Sequence, residues 1–143
     1  MIAFKENTYK KIQIQLSENS EFECGGILGK SEKCITAFEY DKTGSNKSCN
    51  MYFPDVETLN VIIETWGKES IRFCGFVHSH PNGSSELSNG DINFALKIIN
   101  NFDNLDDLLM GIYVASSDCQ SNNLVWYLVN KDKVDKILPN IIK

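Results

Sequence analysis

His78 and His80 stand two residues apart at the end of an apolar run, residues 71–77, and the sequence has no other histidine. An apolar run of that length reads as a buried strand, in which residues i and i+2 face the same side. A short polar loop follows, and Asp91 lies where the pattern turns helical: Ile92, Ala95, Leu96 and Ile99 fall at i, i+3, i+4 and i+7. The segment therefore sets a strand end, a loop and a helix start in succession. It supplies two imidazoles and one carboxylate at a spacing suited to one metal ion. A zinc site with three protein ligands keeps one coordination position for water, as catalytic rather than structural sites do.

The rest of the chain alternates strand-like and helix-like patterns. Residues 2–4 read as a short strand, and residues 7–17 as a helix with Tyr9, Ile12 and Leu16 on one face and Asn7 or Thr8 as cap. Residues 23–29 form a second strand, whose three glycines imply close approach by another backbone or by a ligand. A third strand covers residues 34–40. A polar loop follows at 43–50, then a brief strand at 50–53. Val56, Leu59, Ile63 and Trp66 share a helical face over residues 55–66, opened by Pro54-Asp55. Residues 71–80 are the motif strand, and Ser88 or Asn89 opens the next helix. Residues 108–115 and 124–129 read as a hairpin around the polar loop 116–123. A short C-terminal helix is expected from about Lys131, limited by Pro139. The expected fold class is mixed α/β, a curved central β-sheet flanked by helices. Strand order does not follow from periodicity.

At 143 residues the length suits one domain over residues 1–143, large enough to bury a core without staples. A formal charge of −5 and the lack of a basic run argue against nucleic acid as a partner. No apolar run approaches the roughly 20 residues that span a membrane. The cysteines at 24, 34, 49, 74 and 119 are odd in number and include no CxxC pair. Free, buried thiols are the plain reading. With no signal-peptide pattern at Met1–Glu6, a reducing, cytoplasmic location is expected.

Glu23, then His78-x-His80-Pro81, six residues, Ser88, two residues and Asp91 together resemble the JAMM metalloprotease family, also called MPN+ or JAB1. HxH alone is a weak signal. The full pattern behind a glutamate on a glycine-rich strand is specific, because five polar positions must agree. The segment Glu23-Cys24-Gly25-Gly26-Ile27-Leu28-Gly29 is similar to that family's glutamate strand, and the order of elements fits from about residue 1 to residue 130. The compact length is most similar to prokaryotic JAB proteins. The resemblance implies a JAB/MPN domain, cytidine-deaminase-like in architecture. It also implies one Zn²⁺ per chain held by His78, His80 and Asp91, with Glu23 as general base and Ser88 as the hydroxyl donor to the oxyanion. Zinc brings its water towards a pKa of roughly 7; a base must still take the proton and pass it to the leaving amine. The implied activity is that of a zinc-dependent peptidase or isopeptidase. Its substrate would be a ubiquitin-like or sulfur-carrier protein, cut after the C-terminal Gly-Gly.

Plainer readings stand beside these. Ser88 to Asp91 also spells an S-x-x-D capping box. Glu21 rivals Glu23, two residues earlier on the same face. Glu86 reads as solvated, and Cys24 as core rather than a fourth ligand or redox switch. A non-catalytic MPN scaffold is the alternative function. Nucleobase deaminases use H-x-E with P-C-x-x-C, which is missing here. RadC proteins share HxHP-SxxD but carry an N-terminal module not seen here. Oligomeric state is open.

Overall fold

A computed structural model describes residues 2–19, 21–45, 52, 54–81, 83–114 and 123–143. Its elements are β1 (Ile2–Lys5), α1 (Glu6–Glu18), β2 (Gly25–Ser31), β3 (Cys34–Tyr40), α2 (Val56–Lys68), β4 (Arg72–His80), α3 (Asn89–Asn101), β5 (Asp107–Val114), β6 (Leu124–Asn130), β7 (Val134–Ile137) and β8 (Pro139–Ile142). All the strands join one mixed sheet in the order β7-β6-β5-β4-β2-β3-β1-β8. β4 runs parallel to β5 and antiparallel to β2. β7 and β8 hold opposite edges although only Leu138 separates them, so the sheet curves until it nearly closes.

The sheet divides the interior in two. On one face α1 lays Tyr9, Ile12 and Leu16 against Phe4, Leu28, Val77, Leu109 and Trp126. On the other, Leu59 and Trp66 of α2 and Ala95 and Ile99 of α3 pack over Ile27, Phe76, Leu108 and Met110. Because strand side chains alternate, Val77 points to the α1 face and Phe76 to the face of α2 and α3. By the same alternation His78 and His80 face α2 and α3, and Ser79 faces α1.

Close approach explains the expected glycines. A Cβ on Gly26 would collide with the Glu39 carbonyl oxygen, and one on Gly25 would lie 2.6 Å from that of Val77 and 2.8 Å from the Tyr52 ring. The second strand starts at Gly25 rather than Glu23, so Glu23 and Cys24 lead into it. Neither Asn7 nor Thr8 caps α1: the helix starts at Glu6 after Lys5, and the Thr8 hydroxyl donates instead to the Thr36 carbonyl at 2.9 Å.

The expected C-terminal helix is replaced by β7 and β8. Val134 and Ile137 have helical spacing, but β6 offers an unpaired edge. Asn130 turns the chain back by accepting from the amides of Asp132 and Lys133 at 2.9 and 3.0 Å. Pro139 is the first residue of β8, a position that a residue without an N–H tolerates. The brief strand at 50–53, apart from Tyr52, most of the loop 116–123, and Cys49 and Cys119 lie outside the described residues. Cys24, Cys34 and Cys74 are free. No described helix is long and apolar enough to cross a membrane.

Candidate metal centre

β4 ends at His80, and α3 begins with Ser88 as N-cap. The helix start is fixed by a reciprocal capping box: Ser88 Oγ accepts from the Asp91 amide at 3.0 Å, and Asp91 Oδ2 accepts from the Ser88 amide at 2.9 Å. That box turns the Asp91 carboxylate back over the end of β4. His78 Nε2 lies 3.1 Å from Asp91 Oδ1, His80 Nε2 lies 3.4 Å from Asp91 Oδ2, and the two Nε2 atoms are 3.1 Å apart. Tetrahedral zinc with bonds of about 2.0–2.1 Å needs ligand atoms about 3.3 Å from one another. The observed spacing fits that need. Among the described residues this is the only group of three or more His, Cys, Asp or Glu side chains drawn together tightly enough to hold a metal ion.

The tautomer fits as well. His80 Nδ1 sits 3.0 Å from the Ser84 carbonyl oxygen. A carbonyl only accepts, so Nδ1 carries a proton, and the neutral form of the ring, the form that would bind an ion, has its bare Nε2 at the shared point. The loop that supplies this carbonyl is itself held: Tyr127 Oη donates to the Ser85 carbonyl at 2.7 Å, and the Gly83 amide, at φ 84°, donates to the His80 carbonyl at 3.1 Å. Burial would raise the Asp91 carboxyl, but hydrogen bonds to His78 and His80 outweigh it and hold the group well below the usual carboxylate range. The Asp91 hydrogen bond in turn raises the His80 imidazole, against burial.

All five residues expected at the site, Glu23, His78, His80, Ser88 and Asp91, line one cavity of about 830 Å³. Glu23 is half-buried there; its rival Glu21 is exposed and does not line the cavity. Exposed Glu86 borders the rim. Apolar side chains, among them Phe76, Leu87, Phe94 and Met110, form the remaining wall with Tyr52 and Pro54. Cys24 packs in the α1-side core, on the face of the sheet away from the two imidazoles. Burial raises its thiol, so it is neither a fourth ligand nor a poised thiolate.

Several contributors escaped the sequence reading. Ser79, the middle residue of the motif, could have been found as a polar residue inside a buried strand. The Ser84 carbonyl, Tyr127 and Tyr52 carry no local signal, because their parts depend on which elements meet.

No protein-family model and no curated protein matches the chain. Solved structures do. A solution structure of a Desulfitobacterium hafniense protein is similar over 100% of this chain and 94% of its own, with TM-score 0.72 and 17% identity. The crystal structure of a JAB1/MPN domain protein from Archaeoglobus fulgidus is similar over 100% and 98%, with TM-score 0.56 and 14% identity. A structure described as JAMM, a metalloprotease-like zinc site in the proteasome and signalosome, is similar over 100% and 99%, with TM-score 0.54 and 14% identity. With its mixed α/β sheet, curved and flanked by helices, this chain has the JAMM/MPN fold.

Proposed function

We propose that the chain is a zinc-dependent peptidase or isopeptidase that cuts after the C-terminal Gly-Gly of a ubiquitin-like or sulfur-carrier protein in the cytoplasm. The observation that carries this reading is convergence. Three side chains that suit zinc, a half-buried carboxylate and a hydroxyl come from separate segments to one cavity.

His78, His80 and Asp91 would hold the ion, which when bound supplies Lewis acidity and an ionised water near neutral pH. Glu23 takes the proton released during attack and returns it to the leaving amine, a role worth about 10²–10⁴-fold in rate. Ser88 Oγ accepts from the Asp91 amide, which leaves its own hydrogen free to donate to the developing oxyanion.

Intact-mass analysis of Gly-Gly-extended ubiquitin-fold carriers after incubation with zinc-loaded protein tests the reading. Cleavage directly after Gly-Gly is expected, with turnover down by about 10²–10⁴-fold in Glu23→Gln at unchanged zinc content. Asp91→Ala should lose stoichiometric zinc. A folded, zinc-loaded protein that cuts none of the carriers would overturn the assignment.

A further inference from the structure

Glu23 lies beyond the last backbone pair of the β2–β4 ladder, Gly25 opposite His78, yet it lines the cavity. Something other than the ladder must hold it. The Ser79 amide donates to the Cys24 carbonyl at 2.8 Å. The Cys24 amide donates not to the Ser79 carbonyl but to its hydroxyl, at 3.0 Å. That hydroxyl in turn donates to the Phe22 carbonyl at 3.2 Å. In a hydrogen-bonded antiparallel pair both bonds run between backbones; here one runs to a side chain, so a hydroxyl sets the path of residues 22–24. Its contacts bracket Glu23 on both sides.

Ser79 stands between two candidate ligands but points to the other face of the sheet, and its exposure is 0%. It can reach neither the ion nor a substrate. Building on the peptidase reading, we propose that Ser79 is a positioning residue for Glu23. Its hydroxyl holds the segment that carries the general base in register with the strand that carries the ligands. A displacement of 1 Å at a reacting group can cost about 10²-fold in rate, so loss of this tie should appear in kcat.

The test compares Ser79→Ala and Ser79→Thr for zinc content, kcat and KM on a Gly-Gly-extended carrier, and amide hydrogen exchange at Cys24. The alanine variant should lose about 10²-fold in kcat, at unchanged KM and zinc content, with faster exchange at Cys24. The threonine variant keeps the hydroxyl and should restore both kcat and protection. Glu23→Gln should add little in the alanine background, because the two changes remove one function. If the alanine variant does not fold, Ser79→Cys replaces it, filling similar space with a weaker donor and acceptor, and should lie between alanine and wild type. Activity lost in proportion to zinc, a full additional effect of Glu23→Gln, or unchanged exchange at Cys24 would each overturn the proposal. An inactive wild type whose Cys24 amide is protected only when residue 79 bears a hydroxyl would instead overturn the peptidase reading and leave the tie standing.

Discussion

Asp41 is a carboxylate with 3% exposure, just past the end of β3, and its oxygens serve three donors. Oδ1 accepts from the Gly44 amide at 2.9 Å, and Oδ2 accepts from Tyr52 Oη and the Asp55 amide, each at 2.9 Å. One side chain thus holds a turn, an aromatic ring of the cavity wall and the N-cap of α2. The ring it holds lies over Gly25, which has no Cβ to displace it. Asp41→Asn nearly keeps the shape but turns an NH₂ group towards at least one of these donors. A buried donor left unsatisfied costs about 1–3 kcal/mol, so urea denaturation should show a loss of that size. Tyr52→Phe, which removes one hydroxyl and leaves the carboxylate its two amide donors, should cost less, about 0.5–1.5 kcal/mol.

At the scale of elements, the start of α3 unites helix stability and site chemistry. A helix begins with unsatisfied amides, and Ser88 and Asp91 satisfy one another's. The same box aims the Asp91 carboxylate at the two imidazoles, so capping by this segment is compatible with holding an ion. Ser88→Ala should therefore cost about 1 kcal/mol of stability and about 10²–10³-fold in turnover. Ser88→Asn separates the two effects. Asparagine caps as well as serine does, so the denaturation midpoint should recover. Turnover should stay low because the hydroxyl is gone. Recovery of turnover along with stability would reduce Ser88 to a cap alone.

Over the whole molecule, the C-terminal strands tie the two edges of the sheet. β7 pairs with β6, β8 pairs in parallel with β1, and the Ile2 amide donates to the Leu138 carbonyl at 3.3 Å. Ile137 packs against the core that contains Trp126 and Phe4. Apart from β8, β1 is paired only with β3, through two residue pairs. Deleting residues 133–143 should lower the denaturation midpoint strongly. It should also produce dimers or larger species by light scattering, because it leaves the edges of β1 and β6 unpaired.

How far the sequence alone reached depended on the range of the interactions involved. The α3 face, the α2 face apart from Val56, which is exposed at the helix start, the limits of β3 and the shared side of His78 and His80 follow from local periodicity, since a helix or strand sets which side chains share a face wherever it packs. The strand-loop-helix segment that gathers the candidate ligands was legible for the same reason. Only the tertiary structure decided the rest. It placed β2 between β3 and β4, brought Glu23 but not Glu21 to the cavity, turned the expected C-terminal helix into strands, and set the Ser79 hydroxyl against the segment around Glu23. Each of these depends on which distant backbone offers an unpaired amide or carbonyl. Ser79 and Cys24 lie 55 positions apart, and no local pattern records such a meeting.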